Sequence, residues 1–243
     1  MIMLSQQDVV LFSGDSITDG NRGRSMDCNH IMGHGYAEMI SGRLGMDNWE
    51  RRPKFVNKAY SGAGISRLYE TWNQDVLQNK PTILSILVGI NDIFAGENMP
   101  GDINAQRYEE NYRRLLQDTI ETLPGTKIVL CEPFYVPARN HQKPYENVPH
   151  LLCEPYFTPL NAVETPELIA FRQSEVRKLQ RIVSRLAREF QCVFVPFQDM
   201  FERLVKESET EYFLWDGFHP TIVGHSFMAQ QWLEYVQKAL EVL

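Results

Sequence analysis

Short apolar runs alternate along this chain with stretches whose apolar residues fall at helical spacing, and that alternation constrains the fold more than any other feature. Val9-Val10-Leu11-Phe12 reads as a buried strand ending at Ser13-Gly14, and Tyr36, Met39, Ile40 and Leu44 follow on one helix face. Phe55-Val56 marks a second strand, followed by Ile65, Leu68, Tyr69, Trp72 and Val76 at helical spacing. Ile83 to Val88 is the strongest strand, and Tyr108, Tyr112, Leu115, Leu116 and Ile120 form the next helical face. Pro124-Gly125 breaks that helix before a strand at Lys127 to Leu130. Val176, Leu179, Ile182, Val183, Leu186 and Phe190 give a long amphipathic helix, and Val193-Phe194-Val195 a fifth strand. A last helix starts near Thr221, with Met228, Trp232, Tyr235, Val236 and Ala239 on one side. Five strand–helix repeats predict an α/β chain with a parallel sheet covered on both faces. In such sheets ligands bind beyond the carboxyl ends of the strands.

Composition narrows the functional classes. Apolar residues are 43% of the 243, enough for a sizeable core, so a disordered chain is excluded. The length suits one α/β domain spanning residues 1–243. The net charge of −7 and the lack of a Lys/Arg run argue against nucleic-acid or anionic-membrane partners. The longest apolar run, Ile83 to Ile90, is too short to span a bilayer, and no basic n-region precedes an apolar stretch at the start. Cys28, Cys131, Cys153 and Cys192 show no C-x-x-C spacing, and Cys131 and Cys192 read as reduced core residues, so the expected location is cytoplasmic.

Four polar motifs sit where this architecture puts ligands. Gly14-Asp15-Ser16-Ile17-Thr18 follows the first strand, where Gly14 permits a sharp turn and Ser16 projects over the sheet end. Ser61-Gly62-Ala63-Gly64 follows the second strand, with glycines that let a backbone N–H approach a ligand. Gly89-Ile90-Asn91-Asp92 follows the central strand, and Asn91 can aim an amide at the pocket. Trp215-Asp216-Gly217-Phe218-His219-Pro220 precedes the final helix, with Asp216 spaced to hold the His219 ring through Nδ1–H and leave Nε2 as a base. Taken singly, a helix cap or a turn accounts for each motif. Jointly they bring a serine, a donor loop, an amide and an Asp/His pair to one rim of the sheet.

Gly14-Asp15-Ser16, Gly62, Gly89-x-Asn91-Asp92 and Asp216-x-x-His219-Pro220 resemble the four sequence blocks of the SGNH hydrolases, the GDSL-type esterases, in that family's order. The likeness runs from Asp8 to the C-terminal helix. Val56-Asn57-Lys58 to Asp92, Pro133-Phe134-Tyr135 and Trp215-Asp216 also resemble the bacterial acetylxylan esterase branch. The resemblance implies a three-layer, flavodoxin-like α/β/α sandwich and a two-step acyl transfer without cofactor or metal. Ser16 would be the nucleophile, His219 the base and Asp216 its orienting carboxylate. The Ser16 and Gly62 N–H groups and the Asn91 amide would hold the oxyanion. Asp15 and Asp92 are expected to brace their loops, Asp15 also bordering the substrate pocket.

Substrate is read from the loops. Residues 21–35, with Arg22, Arg24, His30 and His34, and residues 135–166, with Tyr145, Tyr156 and Phe157, form two long irregular stretches that wall a pocket or make a subunit contact. Their polar and aromatic content suits a sugar ring, and no apolar lid is evident. Trp215 either closes a small acyl site or packs in the core. Cys28, His30 and His34 lack a fourth ligand and a recognised zinc spacing, so no metal is expected. His141 and His150 read as solvated or interfacial, and packing accounts for His225. The expectation is an esterase acting on acetylated carbohydrate such as xylan fragments and self-associating as a homo-oligomer. A thioesterase or lysophospholipase on the same triad, or an inactive carbohydrate-binding protein, are the alternatives.

Overall fold

The computed structural model describes residues 1–24, 29–94, 105–137 and 165–241. Five strands form one sheet: β1 (Val9–Gly14), β2 (Lys54–Asn57), β3 (Ile83–Leu87), β4 (Lys127–Cys131) and β5 (Val193–Val195). All pairs are parallel, in the order β2-β1-β3-β4-β5. The helices are α1 (Ser16–Asp19), α2 (Tyr36–Asp47), α3 (Ile65–Asp75), α4 (Ile90–Phe94), α5 (Ala105–Thr122), α6 (Pro166–Glu189), α7 (Phe197–Leu204), α8 (Thr210–Phe213) and α9 (Ile222–Glu241).

Side chains alternate across the strands and divide the core into two layers. Leu11, Leu84, Ile86, Ile128 and Leu130 face α3, α5 and α6, where Trp72, Tyr112, Leu115, Leu179 and Val183 cover them. Val10, Phe12, Ile83, Leu87, Val129 and Cys131 face α2, α7 and α9, under Tyr36, Ile40, Phe201 and Trp232. Both faces are buried, which is why the strands read as continuous apolar runs. Ser85 interrupts β3 because the Trp232 indole N–H donates to its hydroxyl at 3.0 Å across the second layer. Two details differ from the sequence reading. Cys192 is only partly buried, a free thiol at the edge of the first layer, and Ile120 lies at 38% exposure on the rim of its helix face.

The strand order reverses between β1 and β3, so the connections leaving their paired carboxyl ends run to opposite faces of the sheet and leave a crevice at the topological switch point. Ser16 follows one of these strands and Asn91 the other. Among the described residues, no helix is long and apolar enough to cross a membrane.

Candidate active site

The turn that carries Ser16 is set by close packing. The Asp15 N–H donates to the Leu87 carbonyl at 3.3 Å, tying the end of β1 to β3. A Cβ on Gly14 would lie 2.2 Å from that same carbonyl oxygen, so only glycine fits. Asp15 then caps α1, its Oδ1 accepting from the Ile17 N–H at 3.0 Å. Ser16 is the first residue of α1, and its N–H is among those a helix leaves unpaired at its start.

Two further loops converge on it. After β2, the Tyr60 N–H donates to the Gly14 carbonyl at 3.0 Å and leads into Ser61-Gly62. Gly62 has φ +78° and is exposed, with open space where a Cβ would stand, so its backbone conformation and not crowding selects glycine. After β3, the Asn91 Nδ2 donates to the Ala63 carbonyl at 3.1 Å. One amide hydrogen thus orients the side chain and the other is left for a ligand. Asp92 reaches across to cap α3, both carboxylate oxygens lying 3.1 Å from the Ile65 N–H. Asp92 therefore joins the β3 loop to the β2 loop, the bracing expected of it. Burial raises the Asp15 carboxyl to about 7, and enclosure raises that of Asp92 to about 7.

The remaining pair arrives from the other end of the chain. Leu214 and Pro220 form an isolated antiparallel bridge that closes the Trp215–His219 turn just before α9. Within it, Asp216 Oδ1 accepts from the N–H groups of His219 at 2.7 Å and Phe218 at 3.1 Å. Asp216 Oδ2 lies 2.6 Å from His219 Nδ1, and His219 Nε2 lies 2.8 Å from Ser16 Oγ. Three side chains separated by up to 203 positions thus form one hydrogen-bonded line. With Asp216 accepting at Nδ1–H, the Nε2 lone pair faces the serine hydroxyl. The His219 side chain keeps 25% exposure and that of Asp216 12%, so a substrate can reach the imidazole.

Two aromatic rings pack against the imidazole. Trp215 stacks on it with centroids 5.1 Å apart and planes 8° apart, and Phe218 packs at 4.3 Å. Trp215 is only partly buried, so the core-packing alternative for it does not hold. Its spacing four residues before His219 could have signalled a stack. Nothing in the sequence marks the Ala63 carbonyl as the group that orients Asn91. His225 is held as packing would have it, stacked on Tyr36 with its Nδ1 accepting the Tyr36 N–H at 3.2 Å. Burial lowers its pKa to about 4. His30 and His34 lie edge to face, 5.5 Å apart, on the exposed part of the loop before α2. Cys28 lies outside the described residues, as do Cys153, Tyr145, Tyr156, Phe157, His141 and His150. Among the described residues, no group of three or more His, Cys, Asp or Glu side chains is arranged to hold a metal ion.

With this geometry in hand, comparison with known proteins is decisive at the family level. The sequence matches the GDSL-like lipase/acylhydrolase family over residues 12–227. The chain belongs to this family. Like its GDSL relatives it is a carboxylic ester hydrolase, and its substrate is a small-molecule ester. An acetylxylan esterase from Geobacillus stearothermophilus is 29% identical over 231 residues, 93% of each chain. Aligned by structure, that esterase gives a TM-score of 0.74 at 26% identity, covering 96% of this chain and 95% of its own. A Parabacteroides merdae protein described as a GDSL-like lipase gives 0.76 at 32% identity, covering 96% of this chain and 97% of its own. Catalytic mutants of the Geobacillus esterase carry alanine in place of a serine, an aspartate or a histidine. There the aspartate precedes the histidine by three positions, the spacing of Asp216 and His219 here.

Proposed function

We propose that this GDSL family member is a serine esterase that removes acetyl groups from acetylated carbohydrate, such as xylan fragments, through Ser16, His219 and Asp216. The observation that carries the reading is the line of two hydrogen bonds, 2.8 Å from Ser16 Oγ to His219 Nε2 and 2.6 Å from His219 Nδ1 to Asp216 Oδ2. Ser16 Oγ attacks the ester carbonyl carbon while Nε2 accepts the hydroxyl proton. The carbonyl oxygen becomes an oxyanion held by the N–H groups of Ser16 and Gly62 and the free Asn91 amide hydrogen. The imidazolium gives its proton to the leaving sugar oxygen as the carbon–oxygen bond breaks, releasing the sugar hydroxyl. Water then attacks the acyl-enzyme by the same route, giving acetate and free serine. Asp216 fixes the ring tautomer and offsets the charge that forms on it.

Substrate choice rests on two supports. The acetylxylan esterase likeness spans nearly the whole chain, and Trp215 flanks the base as a broad, partly exposed ring. An aromatic face suits a sugar, and its closeness to the imidazole limits room for a long acyl chain. The test is a series of p-nitrophenyl esters from acetate to octanoate, run beside an acetylated xylo-oligosaccharide. The acetate ester should give the highest kcat/KM, the oligosaccharide should release acetate, and Ser16→Ala should do neither. A preference for long chains would replace this reading with a thioesterase or lysophospholipase. No hydrolysis and no labelling of Ser16 by a serine-directed phosphonate would leave a carbohydrate-binding protein.

A further inference from the structure

Three guanidinium groups surround one tyrosine at the edge of this site. Arg22 Cζ lies 5.4 Å from the Tyr60 ring centroid, Arg24 Cζ 5.7 Å and Arg67 Cζ 5.5 Å. No two of these cations can then be more than about 11 Å apart. The ring is fixed two residues before Gly62, by its N–H on the Gly14 carbonyl and by its hydroxyl on Asp75 at 3.0 Å. Arg22 and Arg24 come from the chain just beyond α1, which carries Ser16, and Arg67 from the first turn of α3. The cluster therefore flanks the nucleophile turn and the Gly62 loop on the β2 side of the rim.

Among the described residues, the carboxylates facing these cations do not neutralise them fully. Asp19, with a side chain only 3% exposed, is shared between Arg22 at 3.3 Å and Arg24 at 2.8 Å. Arg67 meets Glu70 at 3.6 Å, a loose pair of side chains that are both more than half exposed. Lys58 shares Asp75 with the Tyr60 hydroxyl, at 3.7 Å. Among the described residues four cations thus face three carboxylates, a local surplus of positive charge on a chain whose net charge is −7. The overall field of such a chain repels anions, so a focused cationic spot matters for which esters reach the rim. Cation–π contacts with a single ring hold like charges close together, and an anion lying among them would relieve their repulsion. Arginine suits that task, since its planar fork binds carboxylate or phosphate oxygens in pairs.

We propose that Arg22, Arg24 and Arg67, gathered around Tyr60, bind an anionic sugar unit of the substrate and make this esterase selective for acidic acetylated carbohydrate. The proposal rests on the esterase reading above and names its substrate class. Arg22 is nearly buried and also holds the Ala59 carbonyl at 3.2 Å, so the exposed Arg24 and Arg67 are the positions to change.

Calorimetric titration of the Ser16→Ala protein with D-glucuronate, glucose 6-phosphate and D-glucose reads the site without turnover. At least one of the two anions should bind about tenfold or more tightly than glucose, and the stronger of them identifies the charged group preferred. Arg24→Gln and Arg67→Gln should each weaken that binding by roughly threefold or more, and raising the salt to about 0.5 M should do the same. The turnover arm compares an acetylated methyl glucuronoside with the matching methyl glucoside. The ratio of their kcat/KM values should favour the acid and fall in both variants. Equal binding of all three sugars, or variants that lower stability and leave the acid-to-neutral ratio unchanged, would overturn the proposal and reduce the cluster to a loop brace. If neither ester is hydrolysed while anion binding persists, the esterase reading fails and the anion site stands.

Discussion

The two sides of the candidate active site are built by different means. Ser16, Gly62 and Asn91 each follow a strand of the parallel sheet, and hydrogen bonds between neighbouring strands fix their spacing. Buried carboxylates then cap the helices that leave these strands: Asp15 on α1 and Asp92 on α3. Asp216 and His219 have no strand beneath them. They sit on a turn closed by a single bridge, with Asp216 accepting from two backbone N–H groups inside that turn and from the imidazole. The contrast follows from the chemistry proposed. Oxyanion donors must be fixed to within tenths of an ångström, which a sheet edge provides. The base must carry its proton from the serine to the leaving alcohol, and a locally braced loop suffices if one carboxylate and two aromatic rings hold the imidazole.

Substitutions on each side measure the comparison. The largest effect is expected from Ser16→Ala, on the order of a 10⁶-fold loss in kcat on p-nitrophenyl acetate. His219→Ala should cost nearly as much, and the double variant little more than either alone, because the two sides act as one unit. Additive losses would break the hydrogen-bonded line as a functional unit. Asp216→Asn comes next. Its carbonyl can still accept from the turn, but its amide would donate to Nδ1 and force the other tautomer, costing about 10⁴ in kcat at neutral pH with thermal stability little changed. A large drop in melting temperature would instead mean that the turn depends on the carboxylate charge. On the sheet side, Asn91→Ala should lose roughly 10²–10³ in kcat with KM nearly constant, since the amide acts on the oxyanion alone. A change confined to KM would remove Asn91 from the transition state.

Much of this arrangement is legible in the sequence, for definable reasons. A sheet buried on both faces leaves continuous apolar runs, so all five strands and the long helices stand out. The four polar motifs are legible because each follows a strand or precedes the last helix, where the switch-point rule puts ligands. Short elements are harder to read. α1, α4 and α8 have too few residues for a helical period, and α7, with Phe197, Met200, Phe201 and Leu204, has only two turns directly after β5. What the sequence hides most fully is contact between loops. That Ala63 orients Asn91, that Asp92 caps a helix 27 positions earlier, and that three arginines meet at Tyr60 all depend on strand register.

The smallest expected effect concerns the braces themselves and is read in stability against pH. Burial raises the carboxyls of Asp15, Asp92 and Glu132 to about 7. Between pH ~4 and ~7 the native state keeps protons that the unfolded chain has released, so stability falls as pH rises through that window. His225 acts in the opposite sense. Its pKa is lowered to about 4 from 6.5, so its contribution is complete above pH 6.5 and is lost as pH falls toward 4. Above pH 6.5 the carboxyls are the groups among these four that still titrate, and below about pH 8 the buried thiols of Cys131 and Cys192, raised from 9 to about 12, do not yet contribute. The melting temperature should therefore decline from about pH 6.5 and level off by about pH 8, by a few degrees for each kcal/mol involved. Asp92→Asn should flatten part of that decline, because the asparagine carbonyl can still accept the Ile65 N–H and carries no charge to bury. If wild type and variant decline in parallel, Asp92 is already ionised in the folded protein, and the β2 and β3 loops are joined by a charge-assisted bond instead of a neutral one.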